Sequence, residues 1–348
     1  MKQHTFLIIL NFQAMELITV KPHQSNGVVK IIDTPIVQIQ EPSTSKPFIE
    51  ANTEETSLEE IQENHIIPVF IKDNEPLISH ADFIDATMNI VSDVYRGETI
   101  LTPSVRVSHP IKGRIPEAKN KPASELFEHE KTIYFERMAF IIEVPSISDD
   151  IGGNTLSLTV GGVKAYNLDN LYSKKGTDEH FKIFVGFKNR VCTNLSVWSD
   201  GYINDLKVYS IGQLQACIRS LLERYNAVYH LHSLKKLNEY SLTENQFAHL
   251  IGRCRMYHHL PKNIQADIPQ LLFGDNQIGA VCRDYYKDNS FCRDNTGNIN
   301  LWKLHNLFTG VNKSSYIDNF LDKSVNAYHF VEQIRMELKE VGRNWYLN

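Results

Sequence analysis

The sequence predicts an α+β fold: an antiparallel β-meander backed by a long helix, followed by a mainly helical C-terminal part. Three observations predict it. From Phe181 to Val197, Phe181, Ile183, Val185 and Phe187 alternate with Lys182, Phe184, Gly186 and Lys188, and Val191, Thr193, Leu195 and Val197 resume the alternation after a polar break at Lys188-Asn189. A period of two is that of a strand, and two such runs around a short break make a hairpin. The neighbouring β-rich runs are joined by connections of turn length, whereas parallel pairing needs crossovers of a dozen residues or more. Beyond Val208 the apolar period changes from 2 to 3.6.

In chain order, residues 1–65 form an acidic leader. It carries 4 Lys/Arg against 9 Asp/Glu and four prolines between Pro22 and Pro47, too little apolar surface to offset the entropy of ordering it. A disordered arm is expected there. The α+β core spans 66–240. Ile67, Val69 and Ile71 alternate as a strand, and Phe83, Ile84, Met88, Ile90 and Val94 make a helix that stops near Gly97. Val105 to Lys121, broken by Pro110, Gly113 and Pro116, reads as a loop or a broken edge strand. Thr132–Val144 and Asn154–Asn167 are strands, the second broken or bulged at Gly161-Gly162. Asp169–Glu179 is a polar, exposed excursion. Ile211, Leu214, Ile218, Leu221, Tyr225, Val228 and Leu231 share one face of a long helix over 211–234, which lies across the meander. Residues 241–348 are helical: Ser241-Leu-Thr-Glu244 has the form of a capping box opening a helix to about His258. Further helices are expected at Ile268–Phe273, Gln277–Tyr286, Leu301–Phe308 and Val325–Val341.

The chain has 348 residues, 42% hydrophobic and 22% charged, with a net charge of −5, a composition that supports a sizeable core. Outside the leader the charges balance, so a nucleic-acid site has to be a local patch. Five cysteines without zinc-type spacing indicate reduced thiols in the cytoplasm. No apolar run reaches the length of a membrane span, and Phe6–Leu10 is too short for a signal peptide. His230, His232, His249, His258 and His259 lack the spacing of a metal site, and no metal or organic cofactor is expected. Phosphate-loop, dinucleotide and nucleophile-elbow motifs are absent, which lowers the case for an enzyme.

The chemistry that stands out is basic. Arg106, Lys112, Arg114, Lys119 and Lys121 lie in one proline-interrupted stretch with a single acid, Glu117, and Lys188 and Arg190 lie at the hairpin tip. A loop entering the sheet and the end of its hairpin are expected to share a rim, where five to seven phosphate contacts give a log–log salt slope of roughly −3.5 to −5 on single strands. Arg255-Met-Tyr-His-His, Asp284-Tyr-Tyr-Lys and Asn344-Trp-Tyr interleave bases and aromatics, suited either to stacking nucleobases or to packing helix ends.

At Arg190-Val-Cys-Thr-Asn-Leu and Asn300-Leu-Trp-Lys-Leu-His-Asn-Leu-Phe-Thr-Gly the chain resembles the phage/plasmid-like proteins of unknown function, and most of all an uncharacterised relative of that family on Bacteroidetes genomes and mobile elements. Arg190, Cys192, Asn194, Leu301, Trp302, Leu304 and Asn306 occupy the family's motif positions. The resemblance runs from about Ile67 to Leu347 and implies a mobile-element or prophage setting, with no reaction to carry over. The strand-strand-strand-helix order is similar in topology to annealing proteins of phage recombination, an analogy of fold alone. The expected function is binding or annealing of single-stranded DNA in recombination or replication, with self-association. The alternative is a non-enzymatic protein-interaction module acting on host or element proteins.

Overall fold

The structure, a computed structural model, describes residues 46–69, 78–167, 178–287, 292–340 and 345–347. The chain divides into two units, Met1–Thr34 and Pro35–Asn348. The first, the rest of the leader to residue 45, Ile71 and most of the expected polar excursion fall outside the described residues.

Order begins earlier than residue 66. Phe48 and Ile49 are buried in the core, β1 (Glu54–Thr56) joins the sheet, and α1 (Leu58–Asn64) buries Ile61 beneath a Ser57 cap. Composition hid this because the apolar anchors are few and the acidic residues between them face solvent. Then α2 (His80–Val94) starts at Ser79, whose hydroxyl and backbone form a capping box with Asp82.

The sheet is a six-stranded antiparallel meander in sequence order: β1, β2 (Ser104–Arg114), β3 (Lys131–Ile151), β4 (Asn154–Ala165), β5 (Glu179–Asn189) and β6 (Leu195–Val208). β2 is a continuous strand paired with β3 from Ser104↔Ile141 to Arg114↔Lys131, so Pro110 and Gly113 do not make it a loop. Among the described residues its outer edge meets the short β1 and a bridge from Pro68 to Gly113, where proline's missing N–H is tolerated. The Gly161-Gly162 pair does not bulge β4, whose register runs unbroken across it. A Cβ on Gly162 would lie 2.4 Å from the Phe83 ring, so the glycine is there to let α2 lie on the sheet. The bulge falls instead on β3, between Val144 and Ser148.

Alternation buries both faces. One carries Phe140, Ile142, Val160, Ile183 and Val185 against α2 and α3 (Ile211–Arg224), with Phe83, Leu214 and Ile218. The other carries Ala139, Ile141, Val163, Phe184 and Val197 against Phe48, Ile49 and the first turns of α9 (Ile317–Glu340), with Ile317, Phe320 and Leu321. The expected 211–234 helix is two: α3 ends at Tyr225, and Asn226, accepting from the Tyr229 N–H, caps α4 (Ala227–Lys236).

The C-terminal region is not separate, because its side chains continue the first-face core and it belongs to the same unit. β7 (Ser241–Leu242) pairs with β8 (Ile299–Asn300). The capping box is Thr243 with Gln246, two residues on from the expected one, and opens α5 (Glu244–Tyr257). A short α6 (Lys262–Ala266) precedes an irregular 268–273 where a helix was expected. α7 (Asp275–Lys287) and α8 (Leu301–Asn312) follow, with Leu301, Trp302, Leu304 and Phe308 buried.

Candidate functional site

The seven candidate cations do not share a rim. Arg114 stands opposite Lys131 at the start of β3, whereas Lys188 is opposite Ser157, itself opposite Ser148 near the end of β3. That separation is on the order of 50 Å of strand, at ~3.3 Å per residue. Arg106 lies between these ends, opposite Ala139.

Most of the seven have internal work. Arg114 is fully buried and donates to the carbonyls of Lys119 (3.3 Å) and Lys121, closing the turn after β2. Arg106 holds β1 by donating to the Thr53 carbonyl at 2.7 Å. Lys188 pairs with Glu143 at 3.0 Å between half-buried strands, and exposed Arg190 donates to the Pro145 carbonyl.

The other three, Lys112, Lys119 and Lys121, lie at the β2–β3 end. Phe127 is 62% exposed. The Lys121 ammonium stands 4.9 Å from its ring centre and also pairs with Glu130, while the His129 ring lies parallel to it, 6° between planes and 5.7 Å between centres. Lys119 pairs with Asp82 at 3.2 Å, Lys131 with Glu128, and exposed Lys112 acts on the same Glu128 carboxylate. Lys112, Lys119 and Lys121 are thus brought together and joined by Lys131, Phe127 and His129, which sequence reasoning passed over. The signal was an aromatic between charged residues.

Directly inside this surface lies a buried polar cluster. On the α2 side of β4, Lys164 is fully buried, pairs with Glu179 at 2.6 Å and rests over the Phe181 ring at 4.0 Å. The second Glu179 oxygen accepts the Ile78 N–H at 3.0 Å. His80 donates from Nε2 to the Phe135 carbonyl at 2.7 Å, stacks on Tyr134 at 4.5 Å, and keeps a buried Nδ1 lone pair without a partner. Burial above all, with Lys164 adding, pushes the His80 pKa down to about 3. The imidazole is therefore a neutral base. The sequence signal was Lys164, a charge at a core-facing position of β4, masked by reading the glycine pair as a bulge.

The two motif segments meet in space. Asn194 Nδ2 donates to the Asn306 carbonyl at 3.0 Å, and Lys313 Nζ donates to Thr193 Oγ1 at 2.6 Å and to the Cys192 carbonyl. Burial pushes the Cys192 thiol up and the Lys313 ammonium down, so the pair fastens the β5–β6 turn to α8 and does not present an activated thiolate. The interleaved aromatics also converge, with Tyr257 on Tyr346 and Arg253 4.9 Å from the Trp345 ring centre. Tyr257, Tyr285 and Tyr346 are buried packing residues. Among the described residues no group of three or more potential ligands could hold a metal, and no helix is long and apolar enough to cross a membrane.

The fold and its sites define an α+β protein with a two-sided meander and a lysine-aromatic surface at one end. A family model described as "Domain of unknown function, B. Theta Gene description (DUF3871)" matches residues 31–347, and the chain belongs to that family. The description supplies a Bacteroidetes link of the kind the resemblance implies and says nothing of mobile elements. No curated protein and no solved structure matches the chain.

Proposed function

We propose that this protein binds single-stranded DNA through the β2–β3 end of its sheet, in the recombination or replication of a mobile element. The observation that carries the reading is Phe127, exposed at 62%, with an ammonium over its ring and an imidazole parallel to it. Aromatic faces that stack bases, set among cations that follow the backbone, are how single strands are held without sequence preference. Lys131 and Glu128 form an exposed pair, worth only ~0–1 kcal/mol, so a phosphate oxygen replaces that carboxylate at little cost. Lys121 and Lys119, held to the buried Glu130 and the half-buried Asp82, add a phosphate beside their carboxylates. The mobile-element setting rests on the motif resemblance.

The test is fluorescence anisotropy of a labelled oligothymidylate over a salt series. Contacts from Lys112, Lys119, Lys121 and Lys131 give a log–log slope near −3, shallower than the seven-cation estimate because Arg106, Arg114, Lys188 and Arg190 drop out. Replacing Lys112, Lys121 and Lys131 by alanine lowers that slope by about 2. Phe127→Ala weakens binding about 5- to 150-fold, the value of one stacked base. A protein that binds no oligonucleotide at ~20 mM salt, where screening is weak, overturns the proposal. The interaction-module reading would then stand, favoured by the balanced charge and by the internal pairing of Arg106, Arg114 and Lys188.

A further inference from the structure

Helix α4 buries few of its side chains. Of its ten residues only His230 and Leu234 are buried, while Val228 and Tyr229 stand 77% and 53% exposed. His230 is fully buried among Phe187 of β5, Trp198 of β6, Tyr225 at the end of α3 and Tyr328 of α9, with ring centres 5.5, 5.7, 5.9 and 5.8 Å away. His305 of α8 is 1% exposed and packs on Trp302 and Tyr328.

The polar atoms of this box are short of partners. The Tyr225 hydroxyl bonds His230 Nδ1, but His230 Nε2, both His305 ring nitrogens and Trp302 Nε1 have none. The titratable groups facing the two imidazoles are Tyr225, Tyr328 and each other, and none is an anion. Charged groups nearby are engaged elsewhere: Glu332, next to Tyr328, pairs with Arg335 at 2.7 Å, and Lys235 pairs with Asp149. A proton on either ring would create a buried cation with no counter-charge, and a second proton would meet the repulsion of the first.

We propose that the His230–His305 pair makes α4 an acid-released latch: in mildly acidic solution one imidazole takes a proton, α4 leaves its seat, and Trp198 and Tyr328 beneath it become exposed while the sheet persists. With two buried anchors, Tyr229 stacked on Trp198 at 5.2 Å and Lys235 paired with Asp149, α4 is seated mainly by the box itself, and its capped start at Asn226 gives the hinge.

Hydrogen exchange of the full chain from pH 7.5 to 4.5, corrected for the intrinsic pH dependence of exchange, tests this. Amides of 227–236 are expected to lose protection at a higher pH than those of β3–β5, and Trp198 emission should change with the same midpoint. His230→Phe with His305→Leu should move that midpoint down by about one pH unit. Should the double variant fail to fold, imidazole titration by NMR on the unaltered chain decides. His230 and His305 are expected to stay neutral and then titrate together with opening. Simultaneous loss of protection in α4 and the sheet, an unmoved midpoint in the variant, or independent titration of either ring near pH 6.5 with native shifts overturns the latch.

Discussion

Lys164 and Glu179 show what one buried charge demands. The pair is held at 2.6 Å with the ammonium on an aromatic face and the second carboxylate oxygen on a backbone N–H, the extra contacts without which a buried ion pair is unfavourable. Lys164→Ala strands a buried carboxylate and should lower unfolding free energy by about 3–5 kcal/mol in urea titrations. Adding Glu179→Gln, which removes the charge and keeps an acceptor for Ile78, should recover most of that loss; a double variant no better than the single one would mean the pair is not coupled. At this scale the sequence was legible where a side chain does one thing. Trp302 and Leu304 were expected to be buried and are. It was illegible where charge meets structure: Arg114 reads as a solvated base in a proline-rich stretch, yet it is buried holding two carbonyls. No local pattern reports an acceptor supplied by a turn.

Elements were legible where period and length agree. β3, β4, β5, α2, α7 and α8 stand close to where alternation and the 3.6 stripe put them, whereas β6 starts only at Leu195, past a turn that takes up Val191 and Thr193, and runs on to Val208. The misses have physical causes. An apolar stripe continuing through Tyr225 and Val228 reads as one helix, but Asn226 bonds the Tyr229 N–H at 2.9 Å and starts a new one, so Val228 ends 77% exposed. Asn226→Ala removes that cap, costing ~1 kcal/mol locally. Exchange of the α4 amides should quicken about fivefold while β4 and β5 stay unchanged; equal quickening everywhere would show that α4 opens only with the whole fold.

For the whole molecule, sequence showed the class but not how far the core reaches. The leader's last third and the C-terminal helices both pack on the sheet, and such long-range docking leaves no mark on local composition. The same closed core controls the response to acid. His80, His230 and His305 are held neutral by burial, each with its pKa pushed down to about 3. Their native pKa is lowered, so between about 3 and 6.5 the unfolded chain binds more protons than the native one, and stability present above 6.5 is lost as pH falls. All three contribute until α4 opens; once His230 and His305 take up protons there, His80 alone keeps a slope of about 1.4 kcal/mol per pH unit, against a total of roughly 5–15. Urea titrations should therefore show stability falling from pH 6.5, more steeply before α4 opens than after it. A flat profile from pH 7 to 5 would mean these imidazoles ionise in place.

The second face of the meander has a consequence for synthesis. The strands pair in the order in which they are made, so the sheet can assemble as the chain emerges, and Phe48 and Ile49 are already present. The rest of the cover, Ile317, Phe320 and Leu321, comes more than a hundred residues after β6. At about 5–20 residues per second this leaves Ile141, Val163, Phe184 and Val197 half-clad for roughly 5–20 seconds on every ribosome. A message cut short before Ile317 would yield a sticky sheet in search of a chaperone or of another nascent copy.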